Sequence, residues 1–140
     1  MSLTEQQLRF FDTFGFLRFP GLFAADIGRI TKSFELVWAD HGGGHHGQDH
    51  DHQRRSALVP FIDQDEYLCG LLDDHRLDGV ASAILGDDYN YTLSDGNFYV
   101  GDTGWHSDFS YPKQTIKAAF YLDEVTRDSG CLRVIPGSHK

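Results

Sequence analysis

Hydrophobic spacing divides the chain into a helical first part and a strand-like second part. Near the start, Ser2 and Glu5 form a capping-box pattern, with Thr4 and Gln7 as a second possible register. Leu8, Phe11 and Phe14 then mark one helical face, and Gly15 is placed to end the helix in a left-handed conformation. Phe16–Phe19 reads as a short strand, with Pro20-Gly21 as its turn. A second helix is predicted from about Asp26 to Trp38, its buried stripe formed by Ile27, Ile30, Phe34, Val37 and Trp38. Further helical pieces are expected at Glu66–Leu72 and His75–Leu85. The latter carries Leu77, Val80, Ile84 and Leu85 on one side and Gly86 at its end.

From Tyr89 onward the period shortens to that of a strand. Tyr89–Leu93 and Asn97–Val100 flank Ser94-Asp95-Gly96, a plausible hairpin turn. In Thr115–Leu122, Ile116, Ala118, Phe120 and Leu122 alternate with Lys117, Ala119 and Tyr121. Arg127-Asp128-Ser129-Gly130 reads as a turn, Cys131–Ile135 as another strand, and Pro136-Gly137 as its end. Within the helical part, after the second helix, lies a His/Gly-rich segment, residues 39–56. It includes His41-Gly42-Gly43-Gly44-His45-His46-Gly47-Gln48-Asp49-His50-Asp51-His52, which offers nothing to pack and is expected to be a mobile loop, conceivable as a lid. No internal repeat is present, and the 140 residues are expected to form a single domain.

Composition narrows the function. Hydrophobic residues make up 40% and aromatics 14%, including eleven Phe, enough to build a core. The net charge of −9 repels phosphates, which argues against nucleic-acid and anionic-membrane partners. No apolar run reaches membrane-spanning length, and the first residues lack the pattern of a signal peptide. Cys69 and Cys131 make no Cys-x-x-Cys pair, so reduced cytoplasmic thiols are expected.

The chemistry concentrates in Trp105-His106-Ser107-Asp108-Phe109. On a strand, residues two apart share a face, so His106 and Asp108 are able to converge on one cation while Trp105, Ser107 and Phe109 point away. One imidazole and one carboxylate are two of the three ligands of the facial triad that binds ferrous iron with open positions. With eight His and 21 acidic residues, about one His-x-acid match is expected by chance, so the surroundings must support the reading. The loop histidines His45, His46, His50 and His52 suit nickel, copper or zinc, but a Gly-rich tether fixes none of them. Arg54-Arg55 is a small basic spot, read as a solvated turn or as an anchor for an acidic substrate.

The run Gly101–Phe109, the alternating strand after it and the closing Asp128–His139 stretch resemble the phytanoyl-CoA dioxygenase family. These are iron- and 2-oxoglutarate-dependent oxygenases, ectoine hydroxylase among them. The opening segments Leu3–Leu8, Gly15–Leu17 and Pro20–Leu22 are similar to the same family. The resemblance implies an α+β fold with a mostly β core: a double-stranded β-helix, or cupin-like jelly roll, with N-terminal helices. It implies that His106 and Asp108 are iron ligands and catalytic residues, and that Asn97 is the nearest candidate to contact 2-oxoglutarate. Trp105 and Phe109 become candidate pocket-lining residues. The implied reaction is hydroxylation of a small organic molecule by dioxygen, and Asp108 speaks against the related halogenases, which carry a small residue there. In the family the second histidine ligand and the arginine for 2-oxoglutarate lie downstream of the Pro136–His139 stretch, and the histidine of that turn is not a ligand. The expectation is therefore an incomplete jelly roll, with its remaining strands supplied by a missing C-terminal half or a second chain. Alone, the 140 residues are expected to aggregate or pair through an open strand edge. The competing readings are a non-catalytic β-domain that binds metal through the His-rich loop, and a cupin-like barrel with a structural metal.

Overall fold

A computed structural model of the chain describes residues 1–41, 55–108 and 114–140. Most of the His/Gly-rich loop, including His45, His46, His50, His52 and Arg54, lies outside the described residues, as does Phe109. The described elements are helices α1 (Glu5–Phe14), α2 (Ile27–Asp40), α3 (Glu66–Gly70) and α4 (His75–Leu85), and strands β1 (Ser56–Leu58) and β2 (Gly96–Phe98). Single 3₁₀ turns occupy Ile62–Gln64 and Leu71–Asp73. The chain divides into two compact units.

The first unit comprises Met1–Ala24, Asp73–Asn90 and Pro112–Lys140. Of the two capping registers, α1 uses Thr4 and Gln7: the Gln7 amide donates to the Thr4 hydroxyl and the Thr4 amide donates to Gln7 Oε1. Gly15 ends α1 at φ +80°, its N–H donating to Phe11 O at 2.7 Å. A helix end leaves carbonyls without intrahelical partners. Here the Phe14 carbonyl accepts from Gly137 N at 3.0 Å, and the Asp12 carbonyl bonds His139 Nε2 at 3.0 Å. His139 thus packs on the end of α1, its ring 6.3 Å from that of Phe11. In α4 the N-cap is Asp74, whose carboxylate accepts from Arg76 N and also takes two guanidinium bonds, at 2.8 and 2.7 Å. The same guanidinium lies 3.9 Å over the Phe23 ring and donates to Leu22 O. Phe23 is buried and meets Phe120 at 5.0 Å.

The second unit comprises Ala25–Leu72 and Tyr91–Tyr111. Its core is aromatic. Phe34 and Trp38 of α2 meet Phe98 of β2 at 5.4 and 4.8 Å, and Phe34 meets Phe61 at 4.9 Å. Ile30, Val37, Leu58, Leu68 and Leu71 complete it. Such side chains each contribute about 1.5–3 kcal/mol on full burial, and well-placed aromatic pairs about 0.5–1.5 kcal/mol more. Ile27 and Phe34 of the expected stripe are half-buried, and Ser33 joins the buried face. Asp65 caps α3, and Arg29 of α2 lies 3.8 Å over the Tyr67 ring.

The β part differs from expectation. β2 does not form a hairpin with Tyr89–Leu93; it pairs antiparallel with β1, Ser56 opposite Phe98, Ala57 opposite Asn97 and Leu58 opposite Gly96. Ser94 instead accepts from the Phe61 and Ile62 amides with its hydroxyl, at 3.1 and 3.0 Å. Phe16–Phe19, Thr115–Leu122 and Cys131–Ile135 are not strands. Strands need hydrogen-bonded neighbours, and an isolated pair is already marginal. Without such neighbours Phe120, Tyr121, Leu132, Val134 and Ile135 remain exposed. The jelly roll is therefore not formed among the described residues, whose β structure is one two-stranded sheet. No helix among them is long and apolar enough to cross a membrane.

Candidate functional site

Asn97, His106 and Asp108 all belong to the second unit. The segment from Tyr99 to Asp108 is not a strand, so His106 and Asp108 do not share a pleated face as expected. They meet through bends instead: His106 Nε2 lies 3.2 Å from Asp108 Oδ1. His106 Nδ1 lies 2.8 Å from the Gly104 carbonyl oxygen. A carbonyl only accepts, so Nδ1 is the donor in that contact, and Nε2 is the nitrogen that faces Asp108. A carbonyl on the far nitrogen is also the usual way a metal-binding imidazole is oriented.

The spacing suits shared coordination. Two donors at about 2.1 Å from one metal, at right angles, stand roughly 3.0 Å apart. The imidazole and carboxylate are 57% and 42% exposed. An ion pair alone accounts for the same contact, but at this exposure it contributes at most about 1 kcal/mol. Among the described residues no group of three or more His, Cys, Asp and Glu gathers to hold a metal, so the pair stands as two donors. Trp105 is 63% exposed beside it.

Asn97 lies on β2, half-buried, opposite Ala57. Its Oδ1 accepts from Arg55 Nε at 3.0 Å and from Arg55 Nη2 at 2.7 Å, and its Nδ2 donates to Asp95 Oδ2. The Arg55 guanidinium lies 4.4 Å over the Tyr99 ring. In the sequence Arg55 is half of a basic spot, read as a solvated turn or as an anchor for an acidic substrate. The signal that joins it to Asn97 is the β1–β2 register, which no local pattern displays.

Among the described residues, His41 and His75 take ordinary places. His41 Nδ1 lies 2.9 Å from the Val37 carbonyl oxygen at the end of α2, and His75 begins α4 with its side chain 79% exposed.

Comparison with protein families matches residues 11–140 to the model of phytanoyl-CoA dioxygenase (PhyH). No curated protein and no solved structure matches the chain.

Proposed function

The chain belongs to the phytanoyl-CoA dioxygenase family, and from that premise we propose that it acts as an Fe(II)- and 2-oxoglutarate-dependent dioxygenase that hydroxylates a small organic molecule. The observation that carries the proposal is the approach of His106 Nε2 to Asp108 Oδ1 with the imidazole oriented by Gly104. His106 and Asp108 would be two of the protein ligands, and the double-stranded β-helix of the family would be the scaffold. When bound, ferrous iron and 2-oxoglutarate supply dioxygen-driven oxidation of a C–H bond to an alcohol, with release of succinate and carbon dioxide. The residues present do the positioning. The Gly104 carbonyl accepts from His106 Nδ1, which turns Nε2 toward the site. Asp108 supplies the anionic oxygen beside it. Asn97 would stand at the 2-oxoglutarate side of the site.

Anaerobic addition of ferrous iron and 2-oxoglutarate tests the reading. A visible charge-transfer band is expected, together with succinate formation once air is admitted. Both should vanish in His106→Ala and in Asp108→Ala. Metal uptake that survives both substitutions but is lost on deleting residues 41–52 would transfer the binding to the His-rich loop and refute the assignment.

A further inference from the structure

Asn97 has little left with which to meet a co-substrate. Its carbonyl oxygen has two lone pairs, and Arg55 Nε and Nη2 take both. Its amide nitrogen already donates to Asp95. The group beside it that can bind an anion is Arg55. A guanidinium carries five N–H donors in a planar fork. Two point at Asn97, and Nη1 meets no partner among the described residues. The plane is held against Tyr99, and the side chain is 43% exposed. Asn97 and Tyr99 thus fix the orientation of a cation whose outer edge stays open, so little ordering remains to be done when a carboxylate arrives.

We infer that Arg55 is the carboxylate seat of this unit, with Asn97 and Tyr99 positioning its guanidinium and Asn97 itself not touching the ligand. The inference rests on the proposed oxygenase reading only for the identity of the carboxylate, which belongs either to 2-oxoglutarate or to the substrate. Asp95 sets the strength of the seat. Its Oδ2 lies 3.8 Å from Arg55 Nη2, so an incoming anion is attracted by the guanidinium and repelled by this carboxylate. A neutral residue at position 95 therefore strengthens anion binding, whereas a purely structural Arg–Asn–Asp clamp would be loosened by the same change.

The test is a titration of the metal-free protein with two probes, 2-oxoglutarate and octanoate, followed through the Arg55 Nε–H resonance and by calorimetry. Saturable movement of that resonance is expected. Arg55→Gln should weaken binding of the responding probe by tenfold or more, and Asp95→Asn should tighten it severalfold. A response to 2-oxoglutarate assigns the seat to the co-substrate, and a response to octanoate alone assigns it to an apolar substrate acid. An unmoved Arg55 resonance with both probes overturns the inference, as does weaker binding in Asp95→Asn. If Arg55→Gln does not fold, the Asp95→Asn arm decides alone. Because no metal is present, failure here leaves the iron charge-transfer experiment intact. Loss of that band likewise leaves this titration interpretable.

Discussion

Replacing Gly96 by alanine tests how the aromatic core supports the candidate site. Gly96 is buried on β2 beside Asn97, and a methyl group built on it falls 2.2 Å from Phe61 Cδ2 and 2.3 Å from Cε2. Carbon atoms in contact normally stand about 3.5–4.0 Å apart, so the ring or the strand must yield by more than about 1 Å. Phe61 is 3% exposed and packs against the tilted ring of Phe34 at 4.9 Å, which leaves its ring little room to retreat. Overpacking of this kind costs about 1–3 kcal/mol. Restricting the unfolded glycine returns about 0.5–1 kcal/mol; with so close an approach placing the overpacking cost at about 2–3 kcal/mol, the net loss is about 1–2.5 kcal/mol. For a chain of this size the melting temperature should fall by roughly 3–8 °C. Phe61→Leu removes the obstructing ring edge. The double variant Gly96→Ala/Phe61→Leu should then be more stable than the two single effects predict, by about 1 kcal/mol. Urea unfolding of the four proteins, followed by far-ultraviolet circular dichroism, measures the coupling. A Gly96→Ala protein as stable as its parent, or strict additivity in the double variant, would refute the argument.

Other outcomes follow from the same geometry. Hydrogen bonds from the Arg76 guanidinium hold the Asp74 carboxyl well below the usual carboxylate range, against an opposing push from burial. A depressed folded pKa stabilises fully above the unfolded value of about 3.9 and is lost as the pH falls toward the folded one. Asp74→Asn should therefore cost about 1–3 kcal/mol at pH 7 and progressively less below pH ~4; a cost that stays constant across that range would contradict the pairing. Gly15→Ala strains a left-handed residue and drives a methyl group into the His139 ring, 2.4 Å from Nδ1, so a loss of about 1–3 kcal/mol is expected in thermal melts. Substituting His139 by alanine in the same protein should recover part of that loss. Anaerobic calorimetry with ferrous iron should register at least a tenfold weakening for His106→Ala and for Asp108→Ala, with no change for His75→Ala.

Helices were legible where their signals are local. The Thr4/Gln7 box, Gly15 and Gly86 bound α1 and α4 from within a few residues of each end, and the spacing of Ile30, Val37 and Trp38 locates the buried face of α2. The sheet was not legible, because pairing is a relation between distant segments. β1 has three residues, too few to display a period in the sequence, yet it is the partner of β2. Ser94-Asp95-Gly96 has the composition of a hairpin turn. Here, however, the serine hydroxyl serves Phe61 and Ile62, and the glycine makes room for a ring. The alternation in Thr115–Leu122 is real, but it specifies a strand only beside a neighbour. At the site, the proximity of His106 and Asp108 was readable from their spacing, although bends rather than a strand bring them together. Arg55 stood out as a basic spot, but its bond to Asn97 was not readable, because it runs across the β1–β2 register.

The bonds from Gly137 and His139 to the end of α1 also bear on synthesis. They join residues more than a hundred positions apart, so the last turn of α1 stays open at its carbonyl end until the ribosome has made residues 137–139. The end of this helix is completed only by residues made more than a hundred positions later, and a nascent chain stalled before residue 137 should exchange its amides near Phe14 as freely as a frayed peptide does.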